Sequence, residues 1–164
     1  MVGGRAAGLN RERNMMPAGN SRRYMVLAVS IALAAVFIYA GVEKLRDPPL
    51  QFADNIAGFA ILPAVLINLL ALGLPPFEVA SGLLILAPRT RRVGALAVAV
   101  IAVMFLTALS SALLRGLTLD CGCFGIGAPS RPRMWLELAL DVVLFAAALF
   151  VYLRSSSRLV FVSR

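Results

Sequence analysis

The sequence predicts an all-α membrane protein: a four-transmembrane-helix bundle with a kinked second helix and a short interfacial helix. Of the 164 residues, 60% are hydrophobic, whereas soluble domains have about 45–50% apolar residues. Four apolar runs are each long enough to cross a bilayer, which takes about 20 residues. The net charge of +8 comes from Lys and Arg beside these runs. Such flanks orient helices, so nucleic-acid binding is not predicted.

The composition excludes several kinds of site. Histidine is absent, which removes histidine-ligated haem, a histidine-based zinc site and a Ser-His-Asp triad. The chain has two cysteines, too few for a four-cysteine zinc or iron–sulfur site. Any proton transfer therefore depends on carboxylates, thiols, tyrosines or water.

The first predicted span follows a basic tail. Residues 1–23 are polar and Arg-rich and are predicted to stay in the cytoplasm. The span covers about residues 24–45 and ends with Glu43 and Lys44. Two consecutive prolines then stop the helix. Residues 50–62 are less apolar and fit a short helix in the outer interface.

The second and third spans differ in their polar content. The second covers about residues 63–87, and Pro75 and Pro76 predict a kink or a break because they remove two backbone donors. Glu78 follows at membrane depth. It should face a neighbouring helix or a polar cavity, as a buried proton site or a polar anchor for the kinked helix. The third span, about residues 93–114, has no charge and has small residues suited to close packing.

Arg115 ends the third span, and a Gly-rich loop over residues 116–132 leads to the fourth span, about residues 134–153. Glu137 and Asp141, four residues apart in that span, share one helical face. These boundaries predict three parts of the chain: a cytoplasmic tail, 1–23; a four-helix domain, 24–154; and a second cytoplasmic tail, 155–164.

The distribution of positive charge predicts the orientation. With both termini in the cytoplasm, 11 of the 16 Lys and Arg residues lie on the inner side and 5 on the outer side. This bias predicts a multi-pass protein of the inner or plasma membrane with the loop over residues 116–132 on the outer face. The outer face is also the oxidising side, where a dithiol can cycle with exported thiols.

Both cysteines lie in this loop, within the motif Asp-Cys-Gly-Cys-Phe-Gly that begins at Asp120. A disulfide between Cys121 and Cys123 closes almost no loop, so it would add little stability, and a redox role is favoured over a structural staple. Capture of a soft metal ion such as Cu(I) is an alternative. Nearby Arg115 or Arg131 would lower the pKa of a thiol, whereas Asp120 would raise it or relay a proton.

Several ionisable side chains are predicted at the level of the outer helix ends. We expect ion pairs among them, because unpaired charges at that depth are costly, but the sequence does not show which partners pair. Charges that simply fix the bundle are the alternative to a role in thiol chemistry. The residues concerned are Glu43, Lys44, Arg115, Glu137 and Asp141.

Oxidation of a dithiol also requires an electron acceptor. The kinked second helix with Phe59, Phe124 and Trp135 offers a place for a quinone ring between helices. Packing is the more common role of such aromatic residues in a membrane protein.

Three motifs occur in order along the chain: Gly41-Val42-Glu43-Lys44-Leu45 before the first prolines, Leu74-Pro75-Pro76-Phe77-Glu78 with Gly82, and Arg115-Gly116 leading to Cys121-Gly122-Cys123-Phe124-Gly125. In these motifs, and over about residues 24–153, the chain resembles the MauE/DoxX family of small four-helix membrane proteins, and its MauE branch in particular. The third motif is the most specific of the three.

The resemblance implies an accessory of redox chemistry. MauE-like members are linked to disulfide formation in exported proteins, alongside a thioredoxin-like partner, during methylamine dehydrogenase maturation. DoxX relatives are linked to quinone-coupled oxidoreductases. By resemblance, Cys121 and Cys123 form the reactive pair of a thiol–disulfide or quinone-linked oxidoreductase component. The remaining alternative is a structural subunit of a larger membrane complex, in which the cysteines are incidental.

Overall fold

The computed structural model describes residues 18–46, 48–119 and 130–155. Within these ranges the protein is all-helical, without a strand. The helices are α1 Ala18–Arg46, α2 Pro49–Gly58, α3 Ala64–Leu86, α4 Arg91–Leu114 and α5 Arg131–Arg154. All but the short α2 are long and apolar enough to cross a membrane. The predicted all-α class with four spanning helices and one short helix is confirmed.

Two features of the helices differ from the simplest expectation. Helix α1 begins at Ala18, six residues before the predicted start of the first span. Helix α3 runs without interruption through Pro75 and Pro76, so it does not break there. A break would leave further backbone groups unpaired in hydrocarbon, which costs more than the two missing donors. The predicted kink stays a prediction.

The four long helices form a closed ring in which α1 packs on α3, α3 on α4, α4 on α5 and α5 on α1, while α2 lies mainly against α3. The interior of this ring contains many small side chains. Alanines are buried in α1 and α4, including Ala34, Ala95, Ala102 and Ala112. Small residues let helix backbones approach closely, which is how helices associate in a bilayer without a hydrophobic driving force between them.

Helices α1 and α3 come closest at a glycine. A Cβ atom at Gly41 would lie 2.7 Å from Val79 Cγ2 and 2.8 Å from the Pro75 carbonyl oxygen. No larger residue fits there without a shift of one helix. Gly41 also lies one turn before Lys44, and Pro75 lies one turn before Glu78, so this contact brings the two charged residues face to face.

Candidate functional site

A buried ion pair joins α1 to α3. Lys44 Nζ donates to Glu78 Oε1 at 3.0 Å and to Glu78 Oε2 at 2.9 Å, and each side chain is 1% exposed. Both carboxylate oxygens of Glu78 therefore accept a hydrogen bond. The prediction that Glu78 faces a neighbouring helix is correct, and its partner is the lysine that ends the first predicted span.

Two aromatic rings surround the same ammonium group. The Lys44 Nζ atom lies 5.8 Å from the ring centroid of Phe52 in α2 and 5.3 Å from that of Phe105 in α4. Both distances are in the range of cation–π attraction. Lys44 thus links α1, α2, α3 and α4, so the pair with Glu78 is the central polar contact of the bundle.

The two predicted carboxylates of α5 face the interior as well. Glu137 and Asp141 are both buried, and Asp141 lies within electrostatic reach of Glu137, Lys44 and Glu78. Arg133 Nε donates to Glu137 Oε1 at 3.1 Å. Glu137 Oε2 is buried without a hydrogen-bond partner among the described residues.

Glu43 is separate from this interior network. It pairs instead with Arg46 on the surface, at 2.7 Å between Glu43 Oε1 and Arg46 Nη1. Glu43 and Lys44, although adjacent in sequence, therefore have different roles. Lys44 shares the buried face of α1 with Gly41, whereas Glu43 lies about 100° around the helix.

Arg115 caps the C-terminal end of α4 and reaches across to the α2–α3 turn. Its Nε donates to the Ser111 carbonyl oxygen at 3.2 Å, and its Nη2 donates to the Phe59 carbonyl oxygen. The helix ends in a Schellman motif: Gly116 has φ +73°, its N–H bonds to Leu113 O, and the next N–H bonds to Ala112 O. A positive φ is favourable for glycine.

The two ends of the cysteine loop are held next to each other. Leu119 N donates to Met134 Sδ in α5 at 3.4 Å, and a Cβ atom at Gly116 would lie 3.4 Å from Arg131 Nη2. Leu119 also contacts α2, since its Cδ2 atom would lie 3.1 Å from a Cβ at Gly58. Residues near both ends of the loop are thus fixed to the same end of the bundle.

Asp120, Cys121 and Cys123 lie outside the described residues. Their predicted redox and proton-relay roles therefore stay predictions.

A cavity of about 260 Å³ lies between α2, α3 and α4. Its lining is mostly apolar and includes the rings of Phe52, Phe59 and Phe105, with Asn55 and Thr107 as its polar side chains. Phe59 thus lies where the sequence placed it, beside a space between helices.

Trp135 does not line this cavity. It is 60% exposed on the surface of α5, because Met134, Glu137 and Asp141 occupy the buried face of that helix. Its predicted place beside a ring-binding space is therefore wrong, and Phe124 lies outside the described residues.

Sequence reasoning missed Phe52 and Phe105. One available signal was the spacing of Phe52 and Phe59, which lie seven residues apart and therefore on one face of a helix. No pattern within α4 distinguishes Phe105, since that helix is apolar on all sides.

Comparison with known proteins gives consistent matches. The family model described as "Methylamine utilisation protein MauE" matches residues 22–154. "Methylamine utilization protein MauE" of Paracoccus denitrificans is 36% identical over 129 residues, which are 77% of this chain and 68% of that protein. The protein of the same name from Methylophilus methylotrophus is 29% identical over 126 residues, 76% of this chain and 63% of that protein.

No solved structure gives a significant match. The family match covers most of the chain, including the Lys44–Glu78 pair, the cysteine loop and, apart from the first residues of α1, the four described helices that can span a membrane. The chain therefore belongs to the MauE family of methylamine utilisation proteins.

Proposed function

We propose that this protein is a membrane redox accessory in which Cys121 and Cys123 exchange disulfides with exported proteins during their oxidative maturation. The observation that carries the proposal is the fixed base of the cysteine loop. Arg115, Leu119 and Met134 hold the two ends of the loop against α2 and α5, which supports a role for this loop in contact with a partner. Family membership adds a role as an accessory in methylamine utilisation.

The chemistry is thiol–disulfide exchange. A thiolate of the partner attacks the Cys121–Cys123 disulfide, and a mixed disulfide forms. The second partner thiolate resolves it, so the partner gains a disulfide and this chain is left with two thiols. Arginine side chains at the base of the loop, Arg115 and Arg131, favour the thiolate form. A quinone is the acceptor that restores the disulfide.

The orientation that this role needs has both termini in the cytoplasm and the loop on the outer face. The charge bias supports it, with 11 of 16 Lys and Arg residues on the inner side. A thioredoxin-like exported protein is the proposed exchange partner. Lys44 and Glu78 have a supporting role in this proposal, since their closed pair fixes the helices rather than taking part in exchange.

Single substitutions of the two cysteines test the proposal. Cys121→Ser and Cys123→Ser should each abolish disulfide formation in the exported partner, read as its thiol state in cells, while the variants insert into the membrane at normal levels. Thr118→Ser, a conservative change on the same segment, serves as the matched control and should keep activity. Full activity of both cysteine variants would remove the proposal.

A further inference from the structure

We infer that the cavity between α2, α3 and α4 binds the head group of a membrane quinone. The inference rests on the proposed function for the source of the electrons. Binding itself needs neither cysteine, so the two ideas are tested separately.

The walls of the cavity suit a flat ring. Phe52, Phe59 and Phe105 line it, and its volume is about 260 Å³. Pockets that enclose drug-sized ligands are about 300–1,000 Å³, so this one holds a single substituted ring rather than a whole lipid. Aromatic rings pack favourably on one another in offset or edge-to-face geometry.

The two polar side chains suit the oxygens of that ring. The Thr107 hydroxyl already donates to the Met104 carbonyl oxygen at 2.8 Å, so its oxygen is left to accept. The amide of Asn55 supplies N–H donors. A quinone carbonyl can accept from Asn55, and a quinol hydroxyl can donate to Thr107. A lipid acyl chain would use neither group.

The position of the cavity gives a route from the bilayer. Ile61 and Thr107 belong to the lining and are exposed on the surface of the bundle, where an apolar membrane ligand arrives from the side. The isoprenoid tail of a quinone would leave along the same path, since the cavity has room for the ring only.

Contacts outside the cavity hold its lining residues in place. Lys44 holds the rings of Phe52 and Phe105 from one side, and Arg115 holds the Phe59 carbonyl. Leu119, which packs in the same apolar cluster as Phe59, lies in the cysteine loop, two residues before Cys121. The cavity therefore adjoins the base of the proposed redox loop.

The reaction balances with a quinone as oxidant. Two S–H bonds of the dithiol break and one S–S bond forms. Two electrons and two protons pass to the two carbonyl oxygens of the quinone, which become hydroxyl groups. The dithiol is oxidised and the quinone is reduced to a quinol.

Photolabelling of the purified full-length protein with an azidoquinone tests the site. Peptide mass spectrometry should place the label on α2 and α4, and excess decylubiquinone should prevent labelling. Dodecylbenzene, an apolar ring without carbonyl oxygens, should compete poorly. Equal competition by both compounds would show that the cavity is a general apolar site and would overturn the inference.

Variants give a second test. Ala108→Phe fills the cavity and should reduce competable labelling at least about tenfold, because overpacking excludes the ring. Ala97→Phe, half-buried on the same helix outside the lining, is the matched control. Asn55→Leu removes the donor and should weaken binding about fivefold. Undiminished labelling of Ala108→Phe would contradict the site.

The double variant Cys121→Ser/Cys123→Ser separates this inference from the proposed function. It should bind the azidoquinone normally although exchange is lost. Loss of exchange without any specific labelling in the wild-type protein would leave the cysteine proposal standing and remove the quinone site. Specific labelling together with normal exchange by the double variant would support the quinone site and remove the cysteine proposal.

Discussion

Two buried carboxylates of the bundle, Glu78 and Glu137, are satisfied to different degrees. Both oxygens of Glu78 accept from Lys44, at 3.0 and 2.9 Å. Glu137 accepts from Arg133 through one oxygen at 3.1 Å, while its Oε2 is buried without a hydrogen-bond partner among residues 18–46, 48–119 and 130–155. The first lies in the tight contact of α1 with α3, and the second lies in the helix that follows the cysteine loop.

This difference indicates a structural role for Glu78, whereas Glu137 can gain a proton or a hydrogen bond. A buried pair in which both carboxylate oxygens accept from the ammonium resists any change of charge, because the loss of one charge removes the strongest partner of the other. An acceptor without a partner among the described residues, in contrast, can take a proton or a hydrogen bond without breaking a contact that the structure shows. The Lys44–Glu78 pair therefore anchors the helices, whereas the proposed function stays at the cysteine loop.

The largest expected effect is the loss of one partner of the closed pair. Glu78→Gln removes the charged carboxylate that accepts two hydrogen bonds from the buried Lys44 ammonium and should lower the free energy of unfolding by about 3–5 kcal/mol. The loss is measured by denaturation of the purified protein in detergent. The double variant Lys44→Met/Glu78→Leu should recover most of it, since apolar replacement of both charges is close to neutral.

The exposed pair of α1 is the control for that experiment. Glu43→Gln removes a salt bridge whose Arg46 side chain is 71% exposed, and surface pairs contribute about 0–1 kcal/mol. Equal losses for Glu43→Gln and Glu78→Gln would show that burial of Lys44 and Glu78 has no structural importance.

The next effect concerns the close approach that creates the pair. Gly41→Ala places a Cβ atom 2.7 Å from Val79 Cγ2 and should destabilise by about 1–3 kcal/mol through overpacking. Gly73→Ala is the matched control, because a Cβ there meets nothing within 4 Å. It should be neutral or stabilise by about 0.5–1 kcal/mol, the helical preference for alanine. The same denaturation assay measures both, and similar outcomes would contradict the account of Gly41.

A smaller effect is expected at the base of the loop. Arg115→Gln removes the charged donors to Phe59 and Ser111 and should cost about 1–2 kcal/mol. Disulfide exchange with the partner should slow more than this loss of stability explains, because the loop loses its fixed base. Arg89→Gln, an exposed arginine at the other end of the bundle, should change neither quantity. An Arg115 variant that exchanges at the wild-type rate would show that the base is not needed.

The smallest effect is expected at Glu137. Glu137→Gln keeps an oxygen for Arg133 and relieves the repulsion with nearby Asp141. Its free energy of unfolding should therefore change by less than about 1 kcal/mol, measured beside Glu78→Gln, which makes the same chemical change. If Glu137→Gln lost as much free energy of unfolding as Glu78→Gln, the proposed difference between the two carboxylates would be wrong.

The sequence predicted the helices well because the membrane leaves few alternatives. Long apolar runs must be helical when backbone groups have no water to bond, so all four spanning helices were found. The sequence predicts that Glu78 is buried against a helix or a polar cavity, but it does not predict that Lys44 is its partner. Glu43 and Lys44 are neighbours in sequence, and the sequence does not show which of them pairs with Glu78. Gly41 marks the face of α1 that carries Lys44, but its importance is clear only from the contact with α3.

The cavity was harder to predict for the same reason. Phe52 and Phe105 come from α2 and α4 and meet around Lys44, a long-range arrangement that no local pattern encodes. Trp135 was misplaced because an aromatic residue at a helix entrance fits either the lipid surface or the interior. Its neighbours Met134 and Glu137 occupy the buried face and leave the tryptophan outside.

The most direct test of the proposed exchange is the thiol state of Cys121 and Cys123 in native membranes. An impermeant alkylating reagent is added from the outer side, before and after reduction, and the mass shift of the protein is read. We expect an unlabelled, oxidised pair that becomes labelled from outside after reduction and reoxidises when a quinone is supplied. Free thiols that never react from outside and do not respond to quinone would contradict both the orientation and the redox role.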